Sequence, residues 1–127
     1  MVDPPSADTK PAEPKSRSEL VPGTLEMLIL KTLMQGTLHG YGIAQRIRDA
    51  SQDVLHVEEG SLYPALQRML MKGWVTAEWS QTESNRKARF YKLTLLGKKQ
   101  LTAEVDEFRR VTKAIESILR QAEVPGA

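Results

Sequence analysis

From residue 101 to residue 122, apolar and small side chains recur at intervals that only a long helix can use. Leu101, Val105, Phe108, Thr112, Ile115, Leu119 and Ala122 are spaced 4, 3, 4, 3, 4 and 3, the a/d repeat of a coiled-coil seam. Val111 and Ile118 widen that seam. The pattern predicts a helix over residues 95–121, roughly 40 Å long at 1.5 Å per residue. A chain of 127 residues builds one domain, and its core is too small to cover such a helix along its whole length. The expected cover is a partner helix, most simply that of a second copy. The competing arrangement is a helix folded back on its own domain.

Ahead of the seam the period changes twice. Residues 24–36 predict a helix opened by Thr24 and closed by Gly36, with Leu25, Leu28, Ile29, Thr32 and Leu33 on one stripe. Met27, Leu30 and Met34 form a second stripe, so this helix needs two surfaces to pack against. One is its own core and the other is a candidate dimer contact. A turn over residues 36–40 leads to a helix over residues 41–50, with Ile43, Ile47 and Ala50 facing inward. A short extended link then enters residues 58–73, EEGSLYPALQRMLMKG. There Ser61 is the candidate cap, Pro64 is expected in the first turn where its missing N–H costs nothing, and Gly73 is the stop. Leu62, Leu66, Met69 and Leu70 make one apolar stripe, while Pro64, Gln67, Arg68 and Met71 fall on the opposite face.

After Gly73 the period becomes two. Val75, Ala77 and Trp79 alternate with Trp74, Thr76 and Glu78, which predicts a strand. Residues 80–87 are polar, with Asn85 suited to a left-handed hairpin tip. Residues 88–94 return as a second strand, with Phe90 on one face and Arg89 and Tyr91 on the other. Trp74 and Trp79 are read as packing within this ribbon. Three short helices followed by a two-stranded ribbon is the order of a winged helix-turn-helix. The expected fold class is therefore mainly α with a small β-hairpin. A winged helix-turn-helix domain over residues 23–94 would carry a long C-terminal dimerisation helix over residues 95–122, with a short tail at 123–127.

Composition removes several chemistries. Cysteine is absent, which excludes disulfides, thiol catalysis and the common structural zinc sites. The two histidines, His39 and His56, stand seventeen positions apart without metal-ligand spacing. No nucleophile elbow, glycine-rich phosphate loop or facing carboxylate pair is present, so neither an enzyme nor a cofactor is expected. Glu58 and Glu59 suit a helix N-terminus instead. No segment is long and apolar enough to span a bilayer, and the expected compartment is the cytoplasm. Residues 1–22 contain five of the seven prolines and are expected to be a disordered tail.

Charge points to a partner. The net charge is only +2, but from Arg68 to Lys99 eight Lys and Arg stand against Glu78 and Glu83 alone. Such segregation is the footprint of a phosphate-binding surface. A helix fits the major groove of double-stranded DNA, and its N-terminal residues then meet base edges. Ser61, Tyr63 and Pro64 lead, with Gln67 and Arg68 a turn later. Lys72 suits a phosphate, Tyr41 and Gln45 could brace the backbone, and Arg86 and Lys87 at the wing tip could reach a flanking phosphate or the minor groove. The alternative is a winged-helix protein-interaction adaptor that touches no DNA, against which the charge segregation argues.

Four segments carry a family likeness: HGYGI (39–43), EEGSLYPALQRM (58–69), KGWV (72–75) and ARFYKLTLLGKKQL (88–101). Together they resemble the PadR-like transcriptional regulators, over about residues 21–122. The resemblance implies a homodimeric winged-helix DNA-binding repressor of the family's shorter type, with one C-terminal helix. It places Tyr63, Pro64, Arg86 and Lys87 at DNA-facing positions. Stripe and seam together give the expected dimer interface, Met27, Leu30, Met34, Leu101, Val105, Phe108, Val111, Ile115, Ile118 and Leu119, and the resemblance implies that the C-terminal helix makes the dimer. Family members often sense a small aromatic compound near that interface, so an unidentified small-molecule effector is among the implied partners. Phe90 stands where the family usually has the first of two paired aromatics, a mild departure.

Overall fold

The computed structural model describes residues 23–125, and the expected disordered tail at 1–22 lies outside them. The described chain runs α1 (Thr24–Leu33), β1 (Leu38–His39), α2 (Gly40–Ala50), α3 (Glu59–Met71), β2 (Val75–Gln81), β3 (Lys87–Leu93) and α4 (Leu95–Leu119). The three strands form one antiparallel sheet in the order β1-β3-β2. The ribbon expected from the alternating period therefore has a third member. Leu38 pairs with Tyr91 and His39 with Phe90, so the turn before α2 is stitched to the sheet.

α1 is the central element and touches α2, α3, α4 and β3. Its sequence is apolar on two sides because it is enclosed on two sides. Ile29 and Leu30 are both fully buried and Leu33 nearly so. Thr32, the one buried polar side chain among the described residues, satisfies its hydroxyl by donating to the Leu28 carbonyl at 2.7 Å. This enclosure corrects the assignment of Met27 and Leu30 to a dimer contact. Both belong to the core cluster of their own chain, because α4 folds across the side of α1 that the second stripe faces. Of that stripe only Met34 stays open, at 47% exposure. The helix is capped by Gly23 in a left-handed conformation (φ 92°) rather than by Thr24.

α2 begins with a cap that sequence inspection overlooked: His39 Nδ1 accepts from the Gly42 amide at 2.9 Å. The His39 ring also meets Phe90 edge-on, with centroids 5.2 Å apart. Ile43 and Ile47 are buried as expected, but Ala50 is exposed, since α2 is already turning away from the core. The helix ends in a Schellman turn, with Asp53 N–H bonded to the Arg48 carbonyl at 2.8 Å and Gln52 N–H to Asp49 at 3.1 Å.

α3 buries Leu62, Ala65, Leu66 and Met69, the last three of which face away from solvent almost entirely. Its N-terminus lies earlier than the capping preference of Ser61 suggests. Glu58 takes the cap position in extended backbone and Ser61 is the third helical residue. Pro64 accordingly sits inside the helix rather than in its opening turn, and its missing N–H withdraws the usual bond to the Gly60 carbonyl. Gly73 ends the helix as expected, with φ 79°. Its N–H bonds Leu70 O at 3.1 Å while that of Trp74 bonds Met69 O at 3.0 Å, a second Schellman turn.

β2 and β3 pair in continuous register from Val75↔Leu93 to Gln81↔Lys87. Asn85 takes the left-handed position at the tip, with φ 66°. Thr94 then caps α4: its hydroxyl accepts from Gly97 N at 3.0 Å and points at the carbonyls of Gly73 and Trp74, 2.7 and 2.9 Å away. One side chain thus ties the start of α4 to the end of α3. Leu101 is buried and Val105 packs beside it on the core. Leu101 is therefore corrected from dimer contact to core residue, because the first turns of α4 lie on α1. Beyond them the helix leaves the core: every residue from 106 to 119 is exposed.

Candidate nucleic-acid interface

The outer face of α3 is open along its length. Ser61, Pro64, Gln67 and Met71 are all exposed, while the opposite stripe is locked into the core. Rotation about the α3 axis is therefore set by apolar burial, and burial alone presents the polar residues outward. Fully burying each of Leu62 and Leu66 contributes about 1.5–3 kcal/mol, enough to hold that orientation against the modest preferences of surface groups.

Tyr63 stands at the edge of this face, half-exposed, with its ring laid against the start of α2. The approach depends on Gly40, where an added Cβ would come within 2.6 Å of Tyr63 Oη and 2.7 Å of Cε1. Burial, then the nearby charge of Glu59 and the Tyr91 phenol, raises the Tyr63 pKa above its ordinary value. The phenol therefore stays protonated at neutral pH and offers an O–H donor.

Two clefts flank Tyr63, and their linings differ in charge. The first lies between α3, the start of α2 and the β2–β3 wing, with a cavity volume of about 710 Å³. Tyr41, Tyr63 and Trp79 supply its aromatic surface, Arg86, Lys87 and Arg89 its cations, and no Asp or Glu lines it. The second, about 420 Å³, lies between α2 and the start of α3. Gln45, Arg48 and His56 line it together with Glu58 and Glu59, so its charges offset one another. Below it, Arg48 Nε and Asp53 Oδ1 meet at 2.8 Å across the α2–α3 turn. The hydrogen bond from Arg48 holds the Asp53 carboxyl below its ordinary value against the opposing effect of desolvation, helped by the charges of Arg48 and His56.

The structure thus brings Tyr41, Tyr63, Arg86 and Lys87 to one groove, sets Gln45 in the neighbouring cleft, and leaves Ser61, Pro64 and Gln67 on the free face of α3. Two expected site residues are engaged elsewhere. Arg68 Nε pairs with Glu26 Oε2 at 2.9 Å, where the glutamate side chain is only 15% exposed. Its guanidinium is thereby tied to α1, although the Arg68 side chain stays 55% exposed. Lys72 Nζ lies 4.7 Å from the Trp74 ring centroid, at the far end of α3 from the groove.

Among the groove residues not singled out in the sequence as site residues are Trp79 and Arg89. Trp79, read there as packing, is 64% exposed and faces the cleft. Arg89 is its cross-strand partner. The signal was present in the alternation, which puts Trp79 on the face of Val75 and Ala77. What it could not show was that the core ends at Ala77. No group of three or more His, Cys, Asp or Glu among the described residues is arranged to hold a metal ion, and no described helix is long and apolar enough to cross a membrane.

Known proteins resemble this chain in sequence and fold. Residues 29–103 match the model of the transcriptional regulator PadR-like family. A PadR family transcription regulator from Clostridium difficile is 30% identical with a TM-score of 0.65, the alignment covering 76% of this chain and 99% of that one. A PadR-like transcriptional regulator from Bacillus cereus is 25% identical with a TM-score of 0.67, over 79% of this chain and 95% of its own. An uncharacterized protein of Lysinibacillus sphaericus is 28% identical over 107 residues, 84% of this chain and 98% of that protein.

Proposed function

Because this chain belongs to the PadR-like family of transcriptional regulators, we propose that it represses transcription as a homodimer bound to a pseudo-palindromic operator. α3 enters the major groove, with Ser61, Tyr63, Pro64 and Gln67 toward base edges, and the wing lies along the flanking backbone. Gln67 supplies the bidentate amide that suits an adenine edge. Arg86 and Lys87 supply charge without sequence information.

The observation that carries this is the contrast between the two clefts beside Tyr63. A polyanion is attracted to the wing-side groove, which has three cations and no acid, and is met by Glu58 and Glu59 on the other side. Duplex DNA laid against α3 is therefore steered toward the wing. A protein-interaction adaptor has no need of that asymmetry.

Selecting bound fragments of genomic DNA, followed by footprinting, tests it. The expected footprint has two related half-sites about 34 Å apart, one turn of the duplex. A single asymmetric half-site, or no shift of any fragment even at low salt, would reject the operator-binding dimer.

A further inference from the structure

The inward face of the wing does not stop where the core stops. Along it the cross-strand pairs run Val75/Leu93, Ala77/Tyr91, Trp79/Arg89 and Gln81/Lys87. Val75, Leu93 and Tyr91 are buried, whereas Trp79 keeps 64% of its surface in water. A tryptophan so exposed adds little to stability by burial, and its large flat ring lines a cleft beside its cross-strand partner Arg89. In that cleft it has Tyr41, Tyr63, Arg86, Lys87 and Arg89 for company and no acidic residue.

We propose that Trp79 and Arg89 form a clamp on the sugar–phosphate strand of duplex DNA, Trp79 packing its ring on deoxyribose and Arg89 binding the adjoining phosphate. The occupant follows from duplex geometry. With α3 in the major groove and the wing tip over the next minor groove, what lies between them is the strand that divides the two grooves. Its surface alternates an apolar sugar with an anionic phosphate, which matches an aromatic beside a guanidinium on neighbouring strands. The clamp presupposes the DNA-binding function proposed above. It adds a contact that holds any sequence and sets the distance between recognition helix and wing.

The test measures affinities of wild type, Trp79→Ala, Trp79→Phe and Arg89→Ala for a duplex carrying a selected site and for a scrambled duplex, across a series of salt concentrations. Thermal melting confirms that each variant is folded. Trp79→Ala should weaken binding to both duplexes by a similar factor, about five- to tenfold, with the salt slope unchanged, since the lost contact is not ionic. Arg89→Ala should weaken both and lower the salt slope by about one, while Trp79→Phe should stay within about twofold of wild type. Wild-type affinity in Trp79→Ala overturns the clamp and leaves the DNA-binding function standing. A loss confined to the selected site reassigns Trp79 to base reading, and a loss in Trp79→Phe equal to that in Trp79→Ala assigns the effect to the indole N–H; either result overturns the sugar contact. Failure of wild type to bind any duplex overturns the DNA-binding function and the clamp together.

Discussion

Gly97 lies in the first turn of α4 against the Trp74 carbonyl, and a Cβ built there would overlap that oxygen and come within 2.8 Å of Leu93 Cδ1. The obstacle is backbone, which cannot swing aside as the end of a flexible side chain can. The same carbonyl receives the Thr94 N–H at 3.0 Å, so moving α4 outward would also disturb its cap. Gly97→Ala should therefore destabilise the fold by about 2 kcal/mol or more, read as a lower urea midpoint at unchanged m-value. Gly60→Ala is the control: its Cβ would meet nothing within 4 Å, and stability should hold or rise slightly. Neither difference is visible in the sequence, where both are glycines in helical stretches. A close approach is a tertiary fact. Gly73 was legible because its left-handed role follows from local position at a helix end. Ser61 misled for the opposite reason. Its preference for caps is real, yet the chain leaving the α2–α3 turn already has helical geometry at Glu59, so the local preference was overridden.

Among the elements, the wing was legible and its third strand was not. The alternation over residues 74–79 and the return strand after the polar turn gave the pairing, although the strands run on through Gln81 and from Lys87, whereas β1 has two residues and no period to read. α1 was half legible: both apolar stripes were evident, but which neighbour covered the second depended on the path of α4. The part of the wing proposed to meet DNA is its exposed mouth. There the Thr82 N–H bonds the Arg86 carbonyl at 2.7 Å and the Thr82 hydroxyl receives the Arg86 amide at 3.2 Å. The backbone is fixed by these bonds while the Arg86 and Lys87 side chains stay free in solvent. Truncating either side chain leaves the hairpin intact and removes only charge. Arg86→Ala and Lys87→Ala should each weaken binding to all duplexes alike and lower the salt slope by about one. If both slopes equal that of wild type, the wing mouth makes no phosphate contact.

At the scale of the whole molecule, α4 is two helices in one. Its first turns belong to the domain, through the Thr94 cap, Gly97 and Leu101. Its remainder carries the a/d seam into solvent, with Phe108 43%, Val111 41%, Ile115 51% and both Ile118 and Leu119 71% exposed. A stripe of large apolar residues on a helix of 25 residues, about 37 Å long, is costly to leave in water and is placed where a second α4 can cover it. The two halves answer differently to the same substitution. Leu101→Glu puts a charge into the core and should unfold the domain. Phe108→Glu puts the charge on the half-exposed seam proposed to meet a second copy, so the domain should keep its melting profile as a monomer in sedimentation. A Phe108→Glu monomer should also lose most of its operator affinity, because one recognition helix is left where two were joined, while its weak binding to scrambled duplex persists. Should Phe108→Glu remain dimeric, the subunit contact lies away from the seam. Met34 is then the sole residue of the other expected interface still open to make it, and one half-exposed methionine is too small a surface to hold two chains together.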